Sequence, residues 1–163
     1  VRLALVISRT FRKYSFFKKT TSSDSEYESG RMPMNVLVVD NLTSHIQTLA
    51  RGLRTKGYRV FPATNALEAL SILWGDAPSI DLIITDDATV LPDSDALIRR
   101  IRSGDRRLPM IMMTAGKAYV HNVNPLCALC TAFLEKPFEL ETLLQAVEDC
   151  LKACPIRDPG PSG

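Results

Sequence analysis

No stretch of this chain stays apolar for anything near the roughly 18 residues that a spanning helix needs, so no membrane span is expected. The apolar stretch Leu3–Ile7 is likewise too short for the roughly 7–15-residue core of a secretory signal. Charge of one sign is also in short supply. Twenty basic residues against 18 acidic ones leave a net charge of +2 in 163 residues, and even that surplus is local. Residues 1–34 carry seven basic and three acidic side chains, whereas the remaining 129 carry 13 and 15. The body of the chain is mildly acidic, which argues against a nucleic-acid-binding core. With 45% apolar and 23% charged residues, the composition excludes collagen, a long coiled coil and wholesale disorder. The length allows one domain with a little to spare.

Between Val1 and Thr21 there is no acidic residue, while Arg2, Arg9, Arg12, Lys13, Lys18 and Lys19 interleave with Phe11, Phe16 and Phe17. Such a leader could target an organelle or touch anionic lipid. The polar run from Thr20 to Pro33 that follows has linker character and cannot bury a core. Residues 1–33 therefore read as a disordered leader or linker, 34–154 as the folded domain, and the Pro/Gly-bearing 155–163 as a flexible tail.

Within residues 35–154 two kinds of segment alternate. Apolar runs at 35–40, 58–63, 81–86, 108–115 and 131–137 have the Val/Ile/Leu/Met continuity of strands buried on both faces, hence a parallel sheet. Helical periodicity fills the gaps. Ile46, Leu49 and Leu53 make one stripe over 42–56, with Gly57 placed to end the helix. Leu67, Leu70 and Leu73 or Trp74 make another over 66–74. Ser94 can cap 95–102, where Leu97, Ile98 and Ile101 face inward. Leu140, Leu143, Leu144, Val147 and Leu151 mark 139–152, and the weakest helix, interrupted by Asn122, Asn124 and Pro125, lies between Lys117 and Leu129. Five strands alternating with five helices predict a doubly wound α/β fold with right-handed crossovers.

In such folds sites form beyond the carboxyl ends of the strands. Here those ends read Asp40–Asn41, Asp86–Asp87, Thr114–Ala115 and Lys136–Pro137. Aspartate oxygens suit a hard cation of the Mg²⁺ type, and a lysine and a hydroxyl beside them suit a phosphoryl group. A carboxylate nucleophile next to a bound metal is the arrangement that forms an aspartyl phosphate.

On VLVVDN at 36–41, DLIITD at 81–86, ALIRRIR at 96–102, PMIMMTA at 109–115 and FLEKPF at 133–138, the chain resembles a response-regulator receiver domain of two-component signalling. The resemblance implies a flavodoxin-like five-stranded parallel sheet in the order 2-1-3-4-5. It also implies a phosphoacceptor at Asp86, and a Mg²⁺ site from Asp40, Asn41, Asp86 and the backbone of Ala88. Thr114 and Ala115 would then contact the phosphoryl group with Lys136, Phe133 would be the switch aromatic, and Pro137 would follow a cis bond. The implied partners are a histidine kinase or histidine phosphotransfer protein and a downstream protein target. No DNA-binding domain is expected, and the protein reads as a stand-alone cytoplasmic signalling module, not an enzyme.

Departures from the family pattern keep a second reading open. Asn41 stands where a second acid is usual, so Mg²⁺ should bind weakly; the same residue could equally be a helix N-cap. Val90 and Ser94 replace a usual proline and glycine, and Leu129–Cys130 replaces a usual Gly-Ala. These changes favour the alternative of a pseudo-receiver, a binding or dimerisation module that works without phosphorylation. A haloacid-dehalogenase-type hydrolase would need an aspartate at position 88, which is alanine.

The cysteines pair as Cys127-x₂-Cys130 and Cys150-x₃-Cys154, a spacing within reach of zinc but with neither pair in a Gly- or Pro-bearing knuckle. Reduced, partly buried thiols are the expectation. His45 and His121 look isolated, without ligand-spaced partners.

Overall fold

The computed structural model describes residues 33–76, 78–87, 94–104, 107–115 and 130–153, with residues 94–96 described in backbone only. Five strands, β1 (Asn35–Val39), β2 (Arg59–Ala63), β3 (Leu82–Asp86), β4 (Met110–Thr114) and β5 (Ala132–Glu135), pair in parallel. Their order across the sheet is β2-β1-β3-β4-β5, as the family resemblance implies. Four helices are described: α1 (Thr43–Thr55), α2 (Ala66–Trp74), α3 (Ser94–Gly104) and α4 (Leu140–Ala153). The fifth expected helix, between Lys117 and Leu129, lies outside the described residues, as do the expected leader up to residue 32 and the tail.

Side chains alternate across each strand, so the sheet separates two cores. Val36, Val38, Leu82 and Ile84 pack on one face against α1 and α4. Leu37, Val39, Ile83 and Met112 pack on the other against α2 and α3. Each wholly buried Leu or Ile contributes about 1.5–3 kcal/mol relative to exposure, and β1, β3 and β4 are buried at every position. Cys130 belongs to the α2/α3 core and Cys150 to the α1/α4 core, both reduced. With the sheet between them, those two thiols cannot ligate one ion; Cys127 and Cys154 lie outside the described residues.

Helix ends follow local chemistry. Gly57 takes φ +82 and closes α1: its N–H donates to Arg54 O, and the Tyr58 N–H donates to Leu53 O. This six-to-one, five-to-two pairing satisfies carbonyls that would otherwise be orphaned. At the start of α2, Asn65 accepts from the Glu68 N–H, and the Glu68 carboxylate accepts in return from the Thr64 N–H and hydroxyl.

Several expectations need correction. β2 is an edge strand and not buried on both faces; Arg59 and Pro62 are exposed. Arg59 N donates inward to Met34 O, and Ala63 O accepts inward from Asp40 N. By alternation Pro62 turns its missing N–H outward, which is why a proline is tolerated there. Leu67 is 80% exposed and Trp74 52%, because Ala69, flanked by half-buried Leu70 and Leu73, carries the inner face of α2. Leu140 is also exposed, lying over Gly52 of α1, where a Cβ would overlap it. Ser94 is the first residue of α3, which runs on to Gly104.

Candidate functional site

Asp40 follows the last residue of β1 and is wholly buried. Its Oδ1 accepts from the Leu42 N–H at 2.8 Å, an Asx-type turn that starts the chain into α1. Its Oδ2 lies 3.2 Å from His45 Nδ1. The residue capping α1 is Leu42, in extended conformation, so the expectation of Asn41 as N-cap is not met. Asn41 is instead an exposed residue beside the buried Asp40.

Asp86 ends β3 and is 4% exposed. Lys136, just past β5, places Nζ 2.8 Å from Asp86 Oδ1. The Lys136–Pro137 bond is cis, as the resemblance implies. Lys136 N donates to Thr114 O at 2.8 Å, so the lysine is held against the end of β4 as well. Thr114 is wholly buried and Ala115 exposed. Phe133 is buried in the α2/α3 core. The backbone of Ala88 lies outside the described residues, as do Val90 and His121.

The sheet thus brings Asp40, Asp86, Thr114 and Lys136 to its carboxyl edge, on three adjacent strands and the one beyond them. Strand parity divides them further. Asp40, Asp86 and Lys136 continue the alternation of Val38, Ile84 and Leu134 toward the α1/α4 side, whereas Thr114 continues that of Met112 toward α2/α3. By contrast, Asp81, the other acid of its apolar run, is tied to the opposite edge, where its Oδ2 accepts from Asn35 N at 2.7 Å.

A hard cation fits this donor set. Of two nearly fully buried carboxylates, Asp86 meets the Lys136 ammonium and Asp40 the His45 imidazole. Among the described residues no three of His, Cys, Asp and Glu gather closely enough to hold a metal. The residues present suit an ion that keeps several waters, as Mg²⁺ does, over one needing an all-protein cage.

Two features of the site had little or no sequence signal. His45 is not isolated: the loop after β1 and the first turn of α1 fold it back five residues onto Asp40. Thr85 is 1% exposed, and its hydroxyl has no hydrogen-bond partner among the described residues. It lies between Val39 and Met112 in the row next to Asp86.

Residues 36–148 match the family described as the response regulator receiver domain. The chain is 34% identical over 123 residues to the response regulator MprA of Mycolicibacterium vanbaalenii, a match covering 74% of this chain and 52% of that protein. It therefore spans about half the length of the curated relatives it matches. Among solved structures, it is similar to the chemotaxis response regulator CheY4 of Vibrio cholerae at 27% identity and TM-score 0.65. That match covers 74% of this chain and 100% of the other. A response regulator from Thermotoga maritima matches at 26% identity and TM-score 0.62, over 74% and 99% of the two chains. No helix among the described residues is long and apolar enough to cross a membrane. With its match running from β1 into the last helix, and its five parallel strands in the order 2-1-3-4-5, the chain belongs to the response-regulator receiver family.

Proposed function

We propose that the chain accepts a phosphoryl group on Asp86 and relays the signal by protein–protein contact. The observation that supports this reading best is the Asp86–Lys136 pair: a carboxylate 4% exposed at a strand's carboxyl end, with an ammonium 2.8 Å away. The donor is the phosphohistidine of a histidine kinase or phosphotransfer protein. An oxygen of Asp86 attacks phosphorus, the P–N bond breaks, and its electron pair returns to the donor imidazole, which takes up a proton. Lys136 stays in reach of the phosphoryl oxygens, as a point charge that compensates theirs.

Asp40, Asn41, Asp86 and the backbone of Ala88 are the residues that would hold Mg²⁺. When bound, that ion supplies charge compensation for the incoming phosphoryl group. Thr114 supplies the hydroxyl, and Ala115 the neighbouring backbone N–H, that close on the phosphoryl oxygens. Phe133 follows the movement of β4 and β5, shifting a two-state equilibrium of the surface around them. The chain acts as a signalling module and not as an enzyme, with residues 34–154 as the working unit. Its reduced Cys130 and Cys150 fit a cytoplasmic setting.

Incubation with a small phosphodonor and Mg²⁺, followed by intact mass measurement, tests the proposal. One added phosphoryl group in wild type and none in Asp86→Ala is the expected result. An adduct that persists in Asp86→Ala would sink it. No adduct in wild type, with Mg²⁺ failing to bind at millimolar concentration, would favour the pseudo-receiver reading. That second reading draws on Asn41 and on the imidazole seated against Asp40.

A further inference from the structure

Asp40 and His45 are unequally buried. The aspartate side chain is 1% exposed and the histidine 48%. With Oδ1 taken by the Leu42 N–H, the imidazole at Oδ2 is a half-exposed group in contact with this buried carboxylate. A carboxylate can only accept, so in a hydrogen bond between the two groups Nδ1 is the donor.

We infer that His45 is a positioning residue that covers Asp40 and competes with the cation for it. The inference rests on the reading of Asp40 as part of the Mg²⁺ pocket. A hydrated divalent ion approaching Asp40 Oδ2, directly or through one of its waters, meets the Nδ1 hydrogen already in place. The ion and the hydrogen bond draw on the same oxygen, and both draw electron density from the same carboxylate. The ring must turn outward for Oδ2 to be fully available, and nothing buried has to move for it to do so, since His45 sits on the solvent side of α1's first turn. Asn41 deepens the effect. Where the neighbouring position carries an amide and no second carboxylate, Asp40 is one of two carboxylates in the pocket, with Asp86, and a group that occupies it controls more of the affinity. Cation loading and displacement of His45 are thus one event.

The test compares Mg²⁺ binding by the wild-type chain and by His45→Ala, using calorimetric titration, with Asp40→Asn as the control for the site. Losing a hydrogen bond to a charged group corresponds to about a tenfold lower Kd in His45→Ala. A second readout follows the ring itself. The chain has two histidines, so the His45 imidazole signal is assigned by its disappearance in the variant, and it should shift on Mg²⁺ addition to wild type. Thermal melting of both proteins in chelator verifies that the variant is folded. Equal affinities in the two proteins, with binding lost in Asp40→Asn, would overturn the competition while leaving the pocket intact. Weaker binding in His45→Ala would overturn it too, making the ring a support for the ion. No binding in either protein would remove the metal pocket and this inference together.

Discussion

Lys136 Nζ stands 2.8 Å from Asp86 Oδ1 across 50 residues of chain, joining the end of β3 to the turn after β5 with β4 between them. The aspartate is almost fully enclosed, and the lysine keeps 27% of its side chain exposed. This asymmetry decides what each substitution does.

Lys136→Met leaves the Asp86 carboxylate buried without its ammonium, and stability should fall by about 1–3 kcal/mol. Asp86→Asn removes the buried charge and leaves a lysine that can turn to solvent, so its cost should be smaller or of opposite sign. In the double variant most of the Lys136→Met penalty should vanish. Urea unfolding of the four proteins measures the coupling; strictly additive effects would show that the pair contributes nothing.

Thr85→Val should stabilise the fold by about 1 kcal/mol. Among the described residues the Thr85 hydroxyl is buried without a partner, and valine has nearly the same shape without the desolvated polar group. A higher urea midpoint at unchanged slope is the expected result, and a lower midpoint would contradict it.

Gly57→Ala should cost about 1–2 kcal/mol, and Gly57→Asn about half of that. No atom lies within 4 Å of a Cβ added there, so the penalty is that of φ +82 on an L residue alone. Equal stability of the glycine and alanine forms would show that the α1 terminus relaxes.

Alkaline stability should depend on Tyr58. Burial, with the Glu148 charge behind it, raises its phenol above the ordinary value of 10.0. The folded chain therefore holds that proton more tightly than the unfolded chain. The contribution is complete below the unfolded value and is lost as pH rises through the higher folded one. Tyr58→Phe should flatten the fall in stability above about pH 10, measured as melting temperature against pH.

Much of this is legible in the amino-acid sequence alone. Continuous apolar runs flanked by helical stripes identify β1, β3 and β4, because strands buried on both faces admit little else. The polar residues at their ends identify Asp40, Asp86, Thr114 and Lys136 as neighbours, since a parallel sheet gathers its carboxyl ends on one edge. What was not legible depends on three-dimensional placement. Leu67 and Trp74 look like core residues, yet only the packing of α2 against its neighbours decides that Ala69 is the one fully inside. His45 has no periodic signature, and its contact with Asp40 arises from the path of a short loop. An orphaned hydroxyl such as that of Thr85 leaves no trace in sequence at all, because a threonine in a strand is ordinary.

The outward rim of β2 has a consequence for how copies of this protein meet. An incoming strand that tried to extend the sheet there would look for amide hydrogens at positions 60 and 62, the two residues that face away from β1. Position 62 has none to offer, being proline. The ladder of a sixth strand would break at its second rung, so this border resists the edge-to-edge growth from which fibres and swapped assemblies are built.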